Sequence, residues 1–382
     1  MSDKKKICAL TTISKTMDWF VVDSMRNFAK NGFEVTLVCD MDEEFIKRNS
    51  DFATCIPVKM SRGIDPIGAI RGIRKFYRIF KENKFDIIQY STPNAALYAS
   101  VAGKFAKVPV RVYGQWGIRY VTFTGLKRFI FKMLEKFTCM GTTHIKAVSF
   151  KNRQFAIDEK LCRAEKISVI GIGGTVGVDL KEYDLGAKSD FNKEIRKKYN
   201  ISEKDFLFGY VGRLNVDKGI NELIEAFKGI DNAKLMLVGM LDDKYRPSEE
   251  NLKYAEENDK IILTGNVAPQ EVCKYLAAFD ILVHPTYREG FGKVLQEAMA
   301  MECPIITTDV PGPSEVIEAG VSGALVEAQN ADQLREEMVS LMNDKERQQA
   351  FAKNGRKRVE TYFERSIMLN NILNDYQSIL NR

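Results

Sequence analysis

The chain has 382 residues, of which 45% are hydrophobic and 28% charged, and its net charge is +6. One hydrophobic core seldom grows to this size, so two domains are expected, and the composition excludes a disordered protein. No apolar run reaches the roughly 18 residues of a membrane-spanning helix, and no signal peptide is expected because the lysine-rich start leads directly into a strand-like segment.

The seven cysteines are scattered along the chain and never spaced as C-x-x-C. This pattern predicts reduced thiols, with neither a disulfide framework nor a zinc site. Together with the missing membrane span, it predicts a cytoplasmic protein.

Positive charge is concentrated in the first half of the chain. Residues 1–180 contain 30 Lys/Arg and 17 Asp/Glu, whereas the remainder contains 27 and 34. The cations cluster at 71–84 and 125–136, where they alternate with bulky apolar residues at helical spacing. Three interpretations are open: a solvated helix face, peripheral contact with an anionic membrane, and nucleic-acid binding. No recognition motif supports nucleic acid, so no such partner is expected.

Strand-like and helix-like segments alternate along the whole chain. The predicted strands of the first half are 7–10, 33–39, 85–90, 110–113, 145–149 and 166–170. Helices are expected between most of them, such as 21–30, 66–81, 95–106 and 126–137. A polar stretch at 178–200 then marks the best domain boundary. The second half has predicted strands at 206–211, 234–238, 261–263, 281–284, 305–308 and 324–326, and helices beginning near Lys218, Gln270, Gly292, Pro313 and Ala331. The last stretch, 345–380, reads as helical with a break near Gly355.

This alternation predicts an α/β fold with two buried parallel sheets covered by helices. Two Rossmann-like domains are expected to face each other across a cleft that holds the ligands. The predicted domains are 1–175 and 176–364, with a C-terminal helix at about 365–382 that packs back on the first.

The segment richest in candidate binding residues is 284–297, where a strand ends and a helix begins. Gly290 and Gly292 let the backbone approach a ligand, and the free amides at the helix start suit a diphosphate. Glu289 and Glu297 would repel phosphate, so hydroxyl groups are their expected partners. Eight helical residues span about 12 Å, which suits a sugar at one carboxylate and a ribose at the other. The alternative is an ordinary turn followed by a solvated helix residue.

Two cations follow the strand at 206–211. Arg213 is expected at the strand end and Lys218 in the first turn of the next helix, where both would face phosphate oxygens. The alternative for Lys218 is a salt bridge with Glu222. A third turn of this kind, at 308–315, is expected on the same sheet edge.

These strings resemble the donor half of the family-4 glycosyltransferases of GT-B fold: G-R-x4-K-G from Gly212, E-G-F-G from Glu289, and T-D-V-P-G-P-x-E from Thr308. The similarity covers about 206–326, and 86–95, 108–113 and 169–179 resemble the family's first half more loosely. These retaining enzymes include bacterial capsule, O-antigen and exopolysaccharide sugar transferases. The resemblance implies transfer of a sugar from a nucleotide-sugar donor, UDP-sugar by preference, to a glycan acceptor, without a cofactor.

The resemblance also assigns roles to individual residues. Arg213 and Lys218 would hold the donor diphosphate, Glu289 the transferred sugar and Glu297 the ribose, and Glu289, Arg213 and Lys218 form the expected catalytic set. The implied donor-binding set is Gly212, Arg213, Lys218, Asn266, Val267, Glu289, Gly290, Phe291, Gly292, Lys293, Val294 and Glu297, with the base near Asn266.

One departure from the family concerns the acceptor side. Relatives often carry a histidine in a Val-His-Gly turn, and the matching position here is Trp116, preceded by Gln115. Trp116 either stacks on a sugar or fills the core, and Gln115 is a candidate hydrogen-bonding group. With Thr12 they form the candidate acceptor or sugar side. His284 and His144 are expected to be structural, so a histidine general base is not supported.

No metal site is expected, although Asp40 and Asp42 form a D-x-D string, because GT-B enzymes usually work without a metal. No pair of carboxylates flanks a scissile bond, so the expected mechanism is retention through front-face attack, with the leaving phosphate helping to deprotonate the acceptor. The acceptor is expected to be a lipid-linked glycan at the inner face of the membrane. The alternatives are a sugar-nucleotide epimerase of the same fold and a non-catalytic nucleotide-sugar-binding protein.

Overall fold

The computed structural model describes residues 4–60, 63, 65–118, 120, 121 and 123–381. Backbone contacts divide the chain into two compact units, Met1–Val176 with Ser366–Arg382, and Gly177–Arg365. They are called the first and the second unit below. Each is built around its own parallel sheet.

The first unit contains one seven-stranded sheet. Its strands are β1 (Lys6–Ile13), β2 (Glu34–Asp40), β3 (Ala53–Pro57), β4 (Ile87–Tyr90), β5 (Val110–Gln115), β6 (His144–Ala147) and β7 (Ile167–Val169). They pair in the order β3-β2-β1-β4-β5-β6-β7, all parallel. The order reverses direction at β1 and β4, and such a switch point is where open α/β sheets bind ligands.

Helices cover both faces of this sheet. They are α1 (Ser14–Phe20), α2 (Val22–Lys30), α3 (Glu43–Asn49), α4 (Pro66–Asn83), α5 (Pro93–Phe105), α6 (Gly125–Gly141) and α7 (Phe150–Asp158). Successive residues of β1 point into different cores: Cys8 and Leu10 pack in one, Ile7 and Ala9 in the other. Burial on both faces explains why the strands read as continuous apolar runs.

The second unit repeats this plan with six strands. They are β8 (Phe206–Val211), β9 (Ala233–Val238), β10 (Ile261–Gly265), β11 (Ile281–His284), β12 (Ile305–Thr308) and β13 (Ala324–Val326). Their order is β10-β9-β8-β11-β12-β13, so the switch point lies between β8 and β11. Its helices are α8 (Lys188–Lys198), α9 (Ile220–Phe227), α10 (Glu249–Glu257), α11 (Val272–Ala278), α12 (Lys293–Ala300), α13 (Pro313–Val316), α14 (Ala331–Asn343) and α15 (Lys345–Arg358).

The predicted break near Gly355 is wrong. Gly355 lies inside α15, where a Cβ atom would come 2.9 Å from the Met299 side chain, so the glycine serves close packing of α15 against α12. The helix instead continues through a π-helical turn at Val359–Phe363 and is interrupted at Glu364. The last helix, α16 (Arg365–Leu380), follows this interruption.

Helix α16 packs on the sheet of the first unit. Leu373 and Tyr376 are buried in its core, and the Tyr376 hydroxyl donates to Gln89 Oε1 at 2.9 Å. Lys146 on β6 pairs with Asp375 at 2.7 Å. The chain therefore returns to the first unit after completing the second.

Several further elements differ from the sequence-based assignment, which did not name α1, α3, α7 and α10. Two more differences have a clear cause. Strand β3 was not predicted, because it is an edge strand of five half-buried or exposed residues without a clear apolar pattern. The polar stretch 178–200 includes a regular helix, α8, in which Ile195 and Arg196 are the buried residues. Within the described ranges, no helix combines the length and apolarity needed to cross a bilayer. The seven cysteines are free thiols.

Candidate functional site

The switch point of the second unit brings Lys218 and Glu289 together. Lys218 lies in a 3-10 turn, Val216–Lys218, after β8, and Asn215 caps this turn by accepting a hydrogen bond from the Lys218 amide at 3.0 Å. Glu289 lies in the loop between β11 and α12. The Lys218 ammonium pairs with the Glu289 carboxylate, so the alternative salt bridge of Lys218 with Glu222 is wrong. Glu222 instead lies beside the Tyr287 hydroxyl, whose pKa is raised by burial and then by the Glu222 carboxylate.

Arg213, the other cation of this strand end, has a different partner. Its side chain is 70% exposed, and its Nη1 lies 3.1 Å from Asp242 Oδ2, beyond the end of β9. The same carboxylate accepts a hydrogen bond from Asn215 at 3.2 Å. Arg213 and Lys218 therefore flank Asn215 and bind separate carboxylates.

His284 forms the buried side of the Lys218–Glu289 pair. It is 2% exposed, its ring stacks on Tyr210 with centroids 5.5 Å apart, and its Nε2 lies 3.8 Å from Glu289 Oε2. Among the described residues, neither ring nitrogen has a hydrogen-bond partner. Burial lowers the pKa of the His284 imidazole and outweighs the opposing effect of Glu289. The ring is therefore neutral at pH 7.

The charge state of Glu289 is set by competing effects. Burial alone would raise the pKa of its carboxyl, but the Lys218 ammonium outweighs burial and holds that pKa well below its ordinary value. Glu289 is consequently an anion throughout the physiological range. Its Oε1 also accepts a hydrogen bond from the Gly290 amide at 3.1 Å.

The loop after Glu289 leads into α12. Phe291 is buried against Phe363, with ring centroids 5.6 Å apart, and Gly292 is the N-cap of the helix. Lys293 and Val294 form its first turn, Lys293 exposed and Val294 half-buried.

Glu297 lies one turn further along α12 and is only 8% exposed. Its carboxylate pairs with Lys293 at 2.9 Å and lies beside the Tyr183 hydroxyl. Burial and then the Glu297 charge raise the pKa of the Tyr183 hydroxyl. Glu297 is therefore a buried, partnered carboxylate, so the alternative of a solvated helix residue is wrong.

The third predicted turn packs directly on this loop. Gly312 has φ +96°, and a Cβ atom there would lie 2.8 Å from the Gly290 carbonyl oxygen and 3.1 Å from that of Glu289. Only glycine fits such a backbone approach without displacing a neighbour. The segments at 284–297 and 308–315 therefore meet at one place.

Asn266 and Val267 lie at the far end of the row of strand termini. They follow β10, the edge strand, with Asn266 exposed and Val267 half-buried. The Gly239 amide donates to the Gly265 carbonyl at 3.0 Å, and a Cβ on Gly239 would lie 1.8 Å from the Gly212 carbonyl oxygen. The strand order thus runs from Asn266 through Gly212 to Glu289.

The acceptor-side candidates lie in the first unit, near its own switch point. Thr12, on β1, donates its amide to the Thr92 hydroxyl at 3.0 Å, and the two hydroxyls are 2.7 Å apart. Gln115 is fully buried and donates to Glu135 on α6 at 2.7 Å. Trp116 is half-buried and packs on Phe20, with centroids 5.2 Å apart.

Sequence reasoning missed three partners of the predicted residues. Asp242 pairs with Arg213, and Tyr183 lies beside Glu297. Glu135 accepts a hydrogen bond from Gln115. Asp242 follows a strand end, which was a usable signal, whereas Tyr183 and Glu135 belong to no motif.

The D-x-D string has a structural role. Asp42 caps α3 by accepting a hydrogen bond from the Phe45 amide at 2.8 Å. Across the described part of the chain, no three His, Cys, Asp or Glu residues are grouped as metal ligands.

Comparisons with known proteins match each unit to a glycosyltransferase family model. The family described as "Glycosyl transferases group 1" matches residues 191–358, and "Glycosyl transferase 4-like" matches residues 6–149. A capsular polysaccharide biosynthesis glycosyltransferase, CapM of Staphylococcus aureus, is 30% identical over 380 residues, which is 98% of each chain.

Two further proteins extend this comparison. The UDP-Gal:alpha-D-GlcNAc-diphosphoundecaprenol alpha-1,3-galactosyltransferase of Escherichia coli is 26% identical over 82% of this chain and 81% of its own. The crystal structure of Anabaena HepE in complex with UDP and glucose superposes with a TM-score of 0.80, at 20% identity, over 98% of this chain and 100% of that one. Two Rossmann-like sheets, the matching family models and a relative similar over nearly its whole length agree: the chain belongs to the family-4-like glycosyltransferases with the GT-B fold.

Proposed function

We propose that the protein is a retaining, metal-independent glycosyltransferase that moves a hexose or N-acetylhexosamine from a UDP-sugar to a lipid-linked glycan in bacterial surface polysaccharide synthesis. The observation that carries the proposal is the Lys218–Glu289 pair at the switch point of the second unit, beside the Gly290–Gly292 loop. Cation, carboxylate and free helix amides are then neighbours, as a pyrophosphate linked to a sugar requires.

Departure of the nucleotide is the step that needs electrostatic help. The bond between the anomeric carbon and the phosphate oxygen breaks, and its electron pair stays on the diphosphate. Lys218, Arg213 and the amides at the start of α12 would stabilise this growing charge, because fixed charges need no reorganisation during the reaction. On donor binding, the Lys218 ammonium would turn from Glu289 to the phosphate.

The two glutamates would bind the polyol groups on either side of the diphosphate. Glu289, ionised throughout the physiological range, would accept hydrogen bonds from the transferred sugar, and Glu297, supported by Tyr183, from the ribose. Asn266 and Val267, at the β10 end, would meet the base with their backbone. The acceptor hydroxyl would attack from the leaving-group side and pass its proton to the departing phosphate oxygen.

The donor and acceptor classes rest on relatives. HepE was crystallised with UDP and glucose, and the Escherichia coli relative is named for UDP-Gal and a diphosphoundecaprenol acceptor. CapM is named for capsular polysaccharide synthesis. Thr12, Gln115 and Trp116 would form the acceptor or sugar side in this protein.

A surface on α6 supports peripheral membrane contact. Leu126 and Phe129 are 73% and 60% exposed, and Phe137 and Met140 are also exposed. Lysines at 127 and 136 accompany them on the same helix. Apolar residues interleaved with cations suit insertion into an anionic lipid surface. Co-sedimentation with phosphatidylglycerol vesicles should exceed that with phosphatidylcholine vesicles, and Phe129→Glu should abolish the difference.

A donor screen tests the proposed activity. Isothermal titration with UDP, GDP and a panel of UDP-sugars should show binding of UDP and of at least one UDP-sugar. In a separate assay of sugar transfer, EDTA should leave turnover unchanged. Preference for GDP, or metal-dependent turnover, would contradict the proposal. Release of an epimerised sugar from donor alone would indicate an epimerase instead.

The stereochemical course is tested on the product. The α-linked UDP-sugar should give an α-linked product by proton NMR of the anomeric signal. A β-linked product would exclude retention and with it front-face attack.

A further inference from the structure

A cavity of about 460 Å³ opens in the first unit between α4, α5 and α6. Its wall is mainly apolar and rich in aromatic rings, including Tyr98, Tyr113, Trp116 and Tyr120. It reaches the carboxyl ends of β4 and β5, where Thr92 and Gly114 line it. Pockets of this volume, apolar with a few polar groups, are typical of small-ligand sites.

Glu135 on α6 is the polar feature of this cavity that its own helix does not explain. The other acidic residue in the described lining, Asp65, caps α4 by accepting from the Gly68 amide. Glu135 Oε1 accepts hydrogen bonds from the Tyr113 hydroxyl at 3.0 Å and from Gln115 at 2.7 Å. Within the described part of the chain, no cation pairs with Glu135, and Oε2 accepts no hydrogen bond.

The environment of Glu135 limits the kind of ligand. Burial raises the pKa of its carboxyl because little water reaches it to stabilise the charge. The hydrogen bonds from Gln115 and Tyr113 offset part of this rise. A phosphate would be repelled, and a hydrocarbon chain would leave Oε2 desolvated without a donor. A pyranose satisfies both parts of the lining, since its C–H faces pack on aromatic rings and its hydroxyls donate to a carboxylate.

We propose that this cavity binds the terminal sugar of the acceptor, and that Glu135 Oε2 accepts a hydrogen bond from one of its hydroxyls. The assignment rests on the proposed transferase function and names the ligand class of its acceptor side. All three candidate acceptor residues lead to this cavity: Trp116 lines it, Gln115 binds Glu135, and Thr12 binds the lining residue Thr92.

The test measures sugar binding to the full-length protein in saturating UDP. The probes are the p-nitrophenyl pyranosides of glucose, galactose, N-acetylglucosamine and N-acetylgalactosamine, and farnesol serves as the hydrocarbon comparison. Saturation-transfer NMR detects binding, and titration gives each Kd. At least one pyranoside should bind, and Glu135→Gln should raise its Kd about tenfold or more, because a charge-assisted hydrogen bond is lost.

Two further variants separate the site from general damage. Glu82→Gln makes the same chemical change at an exposed position near the end of α4 and should leave the Kd within a factor of two. Ala69→Phe fills the cavity without changing charge and should abolish pyranoside binding while the melting temperature and the Kd for UDP stay close to those of the wild type.

Each result has one meaning for the proposal. Failure of every pyranoside to bind, an unchanged Kd in Glu135→Gln, or preferential binding of farnesol would overturn it. UDP binding is measured in the same samples. If the wild type does not bind UDP, the donor proposal is contradicted. If the wild type binds UDP but Glu135→Gln leaves the pyranoside Kd unchanged, only the cavity assignment is overturned.

Discussion

The Lys218 ammonium has two roles, one seen in the structure and one proposed for catalysis. It neutralises a largely buried carboxylate, and it would serve the leaving diphosphate during catalysis. These tasks use the same ammonium, so the Glu289 pairing keeps it positioned at the switch point between turnovers.

Lys218→Ala should therefore lower turnover by about two to three orders of magnitude, because a charge-assisted hydrogen bond aimed at developing charge contributes about 3–4 kcal/mol. Steady-state release of UDP measures the loss. Lys274→Ala, which breaks a pair with Glu194 on α8 in the same unit, is the matched control and should leave turnover unchanged. Turnover of Lys218→Ala within fivefold of the wild type would contradict the assignment.

His284 predicts a dependence of stability on pH. Its folded-state pKa is depressed by burial, so the unfolded chain binds the proton more readily. The free energy of unfolding should therefore fall as the pH drops below the ordinary imidazole value of about 6.5.

Comparison of two histidine variants isolates this contribution. Urea unfolding at pH 7.5 and 5.0 should show a smaller pH difference for His284→Phe than for the wild type. His144→Gln keeps His284 and should retain the wild-type difference. Equal pH dependence in the wild type and His284→Phe would show that the imidazole does not control it.

At the scale of elements, the site depends on turns that bring separate segments into backbone contact. Gly312, before α13, lies against the carbonyl oxygens of Glu289 and Gly290. The position of Glu289, the carboxylate proposed to bind the sugar, is therefore set partly by the turn that contains Gly312.

Gly312→Ala should displace this loop and raise the Kd for UDP-sugar at least tenfold. Gly320→Ala is the matched control, since Gly320 also has a positive φ (+72°) but no atom within 4 Å of its Cβ position. Both variants should lose about 1 kcal/mol of stability from backbone strain, and only Gly312→Ala should lose donor affinity as well. Equal donor affinity in the two variants would contradict a steric role for Gly312.

The sequence predicted strand ends better than the contacts made there. Apolar runs with glycine-rich turns located β8, β11 and β12 and the residues that follow them. The partner of Lys218 was open, because Glu222 lies one helical turn away in sequence whereas Glu289 is distant. Gly355 suggested a break through its low helix propensity, but packing against Met299 decides its conformation. Glu135 carried no signal, since a carboxylate in an amphipathic helix is ordinarily solvated.

At the scale of the whole molecule, the chain builds the first unit from two distant stretches. The core of that unit is incomplete without α16, which contributes Leu373, Tyr376 and an ion pair from Asp375 to Lys146. The second unit has its own core and is continuous in sequence. Substitutions in α16 should therefore destabilise strands of the first unit that are distant from α16 in sequence.

Tyr376→Ala tests this division most directly. The ring packs on Phe28 with centroids 5.3 Å apart, and its hydroxyl binds Gln89, so truncation should cost the first unit about 3–5 kcal/mol. Hydrogen exchange should then accelerate in β1, β2 and β4 while β8 and β11 keep their protection, because locally destabilised regions open as cooperative groups. Phe363→Ala, at a fully buried position of the second unit, should give the reverse pattern. Acceleration of both sheets by Tyr376→Ala would mean that the two cores unfold as one, which would contradict independent opening of the two units.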